Sequence, residues 1–207
     1  MGKHTDSTDS KVIRRIHGHK RGWVFTPDSF KDLGTRRAID LALMRHRDDA
    51  TIRQLARGLY DYPRIDKQLG PLQPSTDDIA RALAGRDAAR LQPSGAYAAN
   101  LLGLSTQVPM KVVYLTDGRT RTVQVGKRQI ALKHTTPRNM ATAGKISGLV
   151  IQALRHLGRK NVDEQTIAQL NRRLDDDAQQ QLMKDIRYAP AWIADIFRKL
   201  AGKETTQ

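Results

Sequence analysis

Residues 26–47 read TPDSFKDLGTRRAIDLALMRHR and residues 51–63 read TIRQLARGLYDYP. Thr26 suits a helix cap and Pro27 the first helical position, so a helix is expected from there through Phe30 to about Leu33, stopped by Gly34. Thr35 then caps a further helix in which Ala38, Ile39, Ala42, Leu43 and His46 recur near the spacing of one buried stripe. That spacing leaves Arg36, Arg37, Asp40, Met44 and Arg47 on the open side. The second stretch reads as strand, Arg57-Gly58 turn, strand.

Upstream, Lys11–His17 is a short helix with Val12, Ile13 and Ile16 on one side, and Gly18 ends it. Trp23-Val24-Phe25 is an apolar triplet of strand-forming type. Helix, short strand, helix, Gly turn, helix and basic hairpin within about fifty residues is the order of a winged helix-turn-helix. The expected domain spans 11–65.

Arg64 to Pro74 holds two prolines, a glycine and few apolar residues, and predicts a linker. A second domain is expected over 75–203. STDDIARALAGRD (75–87) places acids at the positive end of a helix dipole, and AYAANLLGL (96–104) is a core helix restarted by Pro93-Ser94-Gly95. Lys111–Thr116 is a strand, Asp117-Gly118 a hairpin signal, and Thr120–Val125 and Gln129–Lys133 alternate as further strands. Four helical stretches follow over 141–203. The fold class is therefore α+β: a winged helix, then a mixed domain with a small antiparallel sheet and a helical C-terminal region. The polar ends, MGKHTDSTDS and GKETTQ, read as frayed tails.

Hydrophobic residues at 39% and charged residues at 28% are ordinary globular usage, so the bulk of the chain should fold. The formal charge of +15 favours polyanions. The excess is +6 over 1–65, +6 over 66–140 and +3 over 141–207, so charge alone does not locate one binding surface. There is no cysteine, which excludes disulfides, thiolate metal sites and a cysteine nucleophile. No apolar h-region follows the early charges and no apolar run approaches the roughly 18 residues of a membrane span, so a soluble cytoplasmic protein is expected.

Arg36 and Arg37 open the helix expected to enter the major groove, where arginine reads guanine bidentately. Arg53 and Arg57 lie on the hairpin, where they would meet phosphate or the minor groove. Lys20 and Arg21, between the first helix and the first strand, are further phosphate candidates. Other motifs point to no chemistry. His17-Gly18-His19 lacks a third metal ligand. Gly144-Lys145 has Asn139 where a phosphate-binding loop needs glycine, and Ile146 where it needs Ser or Thr. Ser94 reads as a helix cap rather than a nucleophile, and Asp175-Asp176-Asp177 as a solvated loop and helix start. No metal, no cofactor and no enzymatic activity are expected.

FTPDSFKDLGTRRAIDLALMRH (25–46), IRQLARGLYDYP (52–63), IARALAGRD (79–87), LQPSGAYAANLLGLSTQVP (91–109) and VVYLTDG (112–118) resemble AbiEi-type antitoxins of abortive-infection toxin–antitoxin operons. Leu55-Ala56-Arg57-Gly58-Leu59-Tyr60, Pro93-Ser94-Gly95-Ala96, Gly103-Leu104-Ser105 and Val108-Pro109 are its most specific parts. The resemblance covers about 11–140. It implies an autorepressor that binds promoter repeats in double-stranded DNA through Thr35, Arg36, Arg37, Arg53 and Arg57, and a second domain that counteracts a nucleotidyltransferase-like toxin. It supplies no neutralising residues in that domain and no role for 141–203. The alternative is a winged-helix regulator without a toxin.

Overall fold

The computed structural model describes residues 7–85 and 90–202. It divides into two units, 7–85 with 123–127 and 90–122 with 128–202.

In the first unit, helix α1 (Thr8–Gly18) starts earlier than its apolar pattern suggests, because the Ser7 hydroxyl accepts the Ser10 N–H and caps it. The tail expected over 1–10 is thus helical from Thr8, and 1–6 lie outside the described residues. β1 (Val24–Phe25) leads into a single 3-10 turn, Pro27–Phe30, where a longer helix was expected. Arg15 on α1 donates to the Ser29 carbonyl at 2.8 Å, the group an α-helix would have offered to the Leu33 N–H. Leu33 instead bonds Phe30 in 3-10 fashion. Arg15 also grips both carboxylate oxygens of Asp32 at 2.7 and 2.6 Å, which pins this turn to α1.

α2 (Arg36–Asp48) follows, then β2 (Arg53–Ala56) and β3 (Leu59–Asp61). β3 is central in a three-stranded antiparallel sheet of order β1-β3-β2, with Phe25 opposite Tyr60 and Gln54 opposite Tyr60 on the other side. Val12, Ile16, Phe25, Phe30, Ile39, Leu43 and Ile52 form the core, so the apolar stripes of α1 and α2 both end up buried.

The expected linker has structure. β4 (Ile65–Asp66) and β5 (Gly70–Pro71) pair as a second hairpin, and α3 (Thr76–Ala84) lays Ile79, Ala80 and Leu83 inward and packs against β1. An amphipathic helix without a partner would leave that face wet, so α3 completes the first unit rather than opening the second. The division falls after α3, at 86–89, outside the described residues together with the end of the expected helix at Arg86-Asp87.

In the second unit, β6 (Leu91–Ser94) runs into α4 (Gly95–Leu101). β7 (Lys111–Thr116), β8 (Arg121–Val125, of which only 121–122 count with this unit) and β9 (Arg128–His134) follow, in a sheet of order β6-β7-β9-β8. β6 pairs with β7 antiparallel, but β7 and β9 are parallel, so the sheet is mixed and Asp117-Gly118 is not a hairpin. The Asp117 carboxylate is held by the Arg90 backbone N–H and guanidinium, both at 2.8 Å, and the Gly118 carbonyl meets the His134 ring at 3.0 Å. These bonds carry the chain away from β7 and leave its edge to β9.

After the one-turn α5 (Pro137–Met140), which was not expected, the four expected C-terminal helices follow their apolar periodicity: α6 (Ile146–Leu157), α7 (Glu164–Arg173), α8 (Asp176–Lys184) and α9 (Ala191–Leu200). Ala98 and Ala99 of α4, Val150 and Leu154 of α6, Leu170, Leu182, Ile193 and Phe197 make one core. Residues 203–207 lie outside the described residues. No helix among the described residues is long and apolar enough to cross a membrane.

Candidate nucleic-acid interface

The start of α2 is fixed from two sides. A Cβ on Gly34 would stand 2.6 Å from the Thr8 hydroxyl, so only glycine lets the chain pass this close to α1. Thr35 follows with extended backbone, and its hydroxyl accepts the Ala38 N–H at 3.3 Å. Thr35 is thus a helix cap. Thr35→Ala should lower the unfolding free energy by about 1 kcal/mol; urea unfolding curves coincident with those of the parent would remove that role.

On the exposed face of α2, Arg36 donates to both oxygens of Asp40 at 2.9 Å and approaches Asp28 at 3.5 Å. Arg37 is exposed, with no ion-pair partner among the described residues. Leu41 and Met44, 42% and 43% exposed, continue its row at helical spacing, apolar side chains on a face that the core does not use. Arg47 bonds Asp48 and reaches Gln54 of β2 at 3.2 Å, joining helix and hairpin into one surface. Tyr60 of β3 belongs to it too. Partial burial raises its phenol above the usual value, with the Asp40 carboxylate adding to the shift and Arg47 and Arg36 opposing it. Its hydroxyl therefore stays a donor at neutral pH.

The four hairpin and turn cations separate. Arg57 is exposed at the β2–β3 turn, beside Gly58 at φ +70°, a backbone that glycine adopts without strain. Lys20 is exposed in a turn with φ +66°. Arg21 gives one N–H to the Pro63 carbonyl at 3.0 Å and lies 4.7 Å from the Tyr62 ring centroid. Arg53, expected to meet phosphate, is engaged inside the protein. It bonds both oxygens of Asp61 at 3.0 and 2.6 Å, and two further N–H groups reach the carbonyls of Pro71 and Leu72 at 3.4 and 2.6 Å. Asp61 is 1% exposed and needs that partner. Alternation on a short strand gives no sign that its opposite neighbour is a buried acid.

Leu41, Gln54 and Tyr60 are the members of this surface that sequence reasoning passed over. Leu41 was within reach, four residues after Arg37; Gln54 and Tyr60 enter through cross-strand register. The motifs set aside as structural are engaged elsewhere. His19 stacks on Trp23 at 3.9 Å, and no group of three potential metal-ligating side chains occurs among the described residues. Ser94 stands at the N-cap of α4, but its hydroxyl bonds Gln152 at 3.2 Å instead of capping. Asp175 caps α8 through the Ala178 N–H.

The profile of a family of unknown function, DUF6088, matches residues 11–182. The chain belongs to that family. A solved structure, the RV2827C protein from Mycobacterium tuberculosis, aligns with 100% of this chain and 83% of its own at 15% identity and a TM-score of 0.42. No curated protein matches. In this DUF6088 chain the α2 face and the β2–β3 hairpin both lie inside the matched segment.

Proposed function

We propose that the chain is a non-enzymatic transcriptional regulator whose first unit is a winged helix that binds double-stranded DNA. The observation that carries this reading is the pairing of β1 with β3 in the order helix, strand, turn, helix, hairpin. That pairing sets a basic hairpin beside a helix whose outer face presents Arg37 without an ion-pair partner among the described residues. In this reading α2 enters the major groove and the Arg57 turn meets the flanking phosphates or minor groove. The charge of +15 supplies the sequence-independent attraction.

Two arginines test it. Arg37→Ala should cost about 1–3 kcal/mol on the preferred site and relax preference at one position. Arg57→Ala should weaken all sequences alike and reduce the salt slope by about one. Arg36, shared between Asp40 and Asp28, should matter less than Arg37. Anisotropy titrations at several salt concentrations, with a duplex from upstream of its own gene and a scrambled duplex, measure both effects. Binding by both variants indistinguishable from the parent would place the DNA surface elsewhere.

The resemblance to AbiEi-type antitoxins extends the proposal: the regulator acts on its own operon and its second unit counteracts a nucleotidyltransferase-like toxin. The adjacent reading frame should then encode such a protein, and co-expression of the full chain should relieve its growth arrest. Arrest that persists would leave the stand-alone regulator.

A further inference from the structure

The winged-helix reading accounts for α2 and the β2–β3 hairpin but gives no task to the second hairpin. Leu69, at its turn, is 79% exposed and Ile65 is 53% exposed, while Lys67 beside them is also exposed. This turn is stiff. The Asp66 carboxylate accepts the backbone N–H groups of Gln68 and Leu69 at 2.8 and 2.9 Å, and the Leu72 N–H closes on the Arg64 carbonyl at 2.8 Å. With Asp66 turned onto its own backbone, the exposed side chains of the tip are one cation, Lys67, one amide, Gln68, and one large apolar group, Leu69.

The hairpin is also aimed. Arg53 holds the carbonyls of Pro71 and Leu72 while it grips Asp61 of the central strand, so the arm is anchored to the sheet that carries the wing. Between arm and wing lies an open groove of about 900 Å³, lined by Ile65 and Pro71 on the arm, Gln54 on β2, Arg47 at the end of α2, Arg21, and one carboxylate, Asp49. The arm therefore borders the surface that Arg47 and Gln54 build. A groove lined by three arginines, Arg21, Arg47 and Arg53, against one carboxylate, on a hairpin whose exposed tip carries Lys67 and Leu69, is matched by duplex DNA: the groove suits the phosphate backbone, and a leucine near a lysine suits the minor groove, where apolar wedges enter base steps and cations line the walls.

We propose that the β4–β5 hairpin is a second DNA-contacting arm, with a phosphate backbone seated in the groove between it and the wing and the Lys67–Leu69 tip entering the minor groove. This rests on the DNA-binding reading above, and the experiment separates the two. The full chain is titrated against the upstream and scrambled duplexes as parent, Lys67→Gln, Leu69→Ser, Arg37→Ala and Arg57→Ala. Both arm positions are exposed, and circular dichroism checks that the variants fold. Lys67→Gln should lower the salt slope by about one. Leu69→Ser should weaken binding about ten-fold with the slope unchanged. Because the chain lacks cysteine, Leu69→Cys accepts a single environment-sensitive fluorophore, whose emission should shift when either duplex is added. If the parent binds neither duplex at low salt, the DNA reading fails and the arm falls with it. If the Arg37 and Arg57 variants weaken while both arm variants bind like the parent and the fluorophore is unmoved, the arm alone is overturned. A Leu69→Ser variant that changes the sedimentation of the free protein but not its DNA binding makes the tip a self-association contact, which likewise overturns it.

Discussion

Arg53→Ala should destabilise the first unit by about 3–5 kcal/mol, the scale for leaving a buried charge without its partner. Asp61 is 1% exposed on the central strand, and both of its oxygens are taken by this one guanidinium. The same substitution releases the carbonyls of Pro71 and Leu72, so the second hairpin should loosen as well. Urea unfolding followed by circular dichroism and by the fluorescence of Trp23, with Trp192 replaced by Phe in both proteins, measures the loss. The double substitution Arg53→Met with Asp61→Leu should recover most of it, since replacing both members of a buried pair by apolar groups is often neutral. An Arg53→Ala protein that unfolds with the parent's midpoint and slope would show that Asp61 finds water, and would return Arg53 to the list of phosphate contacts. This order of effects, stability before affinity, is opposite to what the position of Arg53 on a basic hairpin suggests.

Asp185→Ala should cost the second unit about 3 kcal/mol. The carboxylate is 5% exposed and accepts from Ser147 Oγ at 2.6 Å, Gln181 Nε2 at 2.7 Å and Lys145 Nζ at 3.0 Å, tying the start of α6 to the end of α8. Lys145 is 44% exposed and can turn to water once the acid is gone, but the Ser147 hydroxyl is fully buried and loses its acceptor. Burial alone would raise the pKa of Asp185; the bonds from Ser147, Lys145 and Gln181 outweigh it and hold the pKa below the ordinary 3.8. The sign follows from linkage. The unfolded chain takes up the proton first, so the stabilisation is complete above the ordinary value and disappears as pH falls through the lowered one. Asp185→Asn should therefore be less stable than the parent at neutral pH, and the gap should narrow as the pH drops below about 4. Parallel stability curves for the two proteins across that range would contradict the assignment.

The local elements were readable because their causes are local. The α2 stripe of Ile39, Ala42, Leu43 and His46 follows from helical spacing, as do the apolar faces of the four C-terminal helices, and each occurs as the residues dictate. Turn chemistry served as well at Arg57-Gly58, where a positive φ is needed and a glycine provides it. It misled at Asp117-Gly118, because Arg90, far away in sequence, captures the aspartate.

Pairing and partnership were not readable in this way. Proline and glycine between Arg64 and Pro74 mark hairpin ends and linkers equally well, and only the packing of α3 on β1 places that stretch inside the first unit. Alternation identifies β7 and β9 as strands but carries nothing about direction or order, so their parallel pairing had no signal. Among the cations, sequence sets the number and the position along the chain. Whether an arginine is offered to solvent, as Arg37 is, or spent on a buried acid, as Arg53 is, depends on which carboxylates and carbonyls the fold brings within hydrogen-bond reach. The sequence by itself determined the helices, the hairpin turn and the net charge, since these depend on neighbours a few residues apart. The tertiary structure decided strand order, the place where the units divide and which charges remain for a partner, since those depend on contacts between residues that the chain keeps far apart.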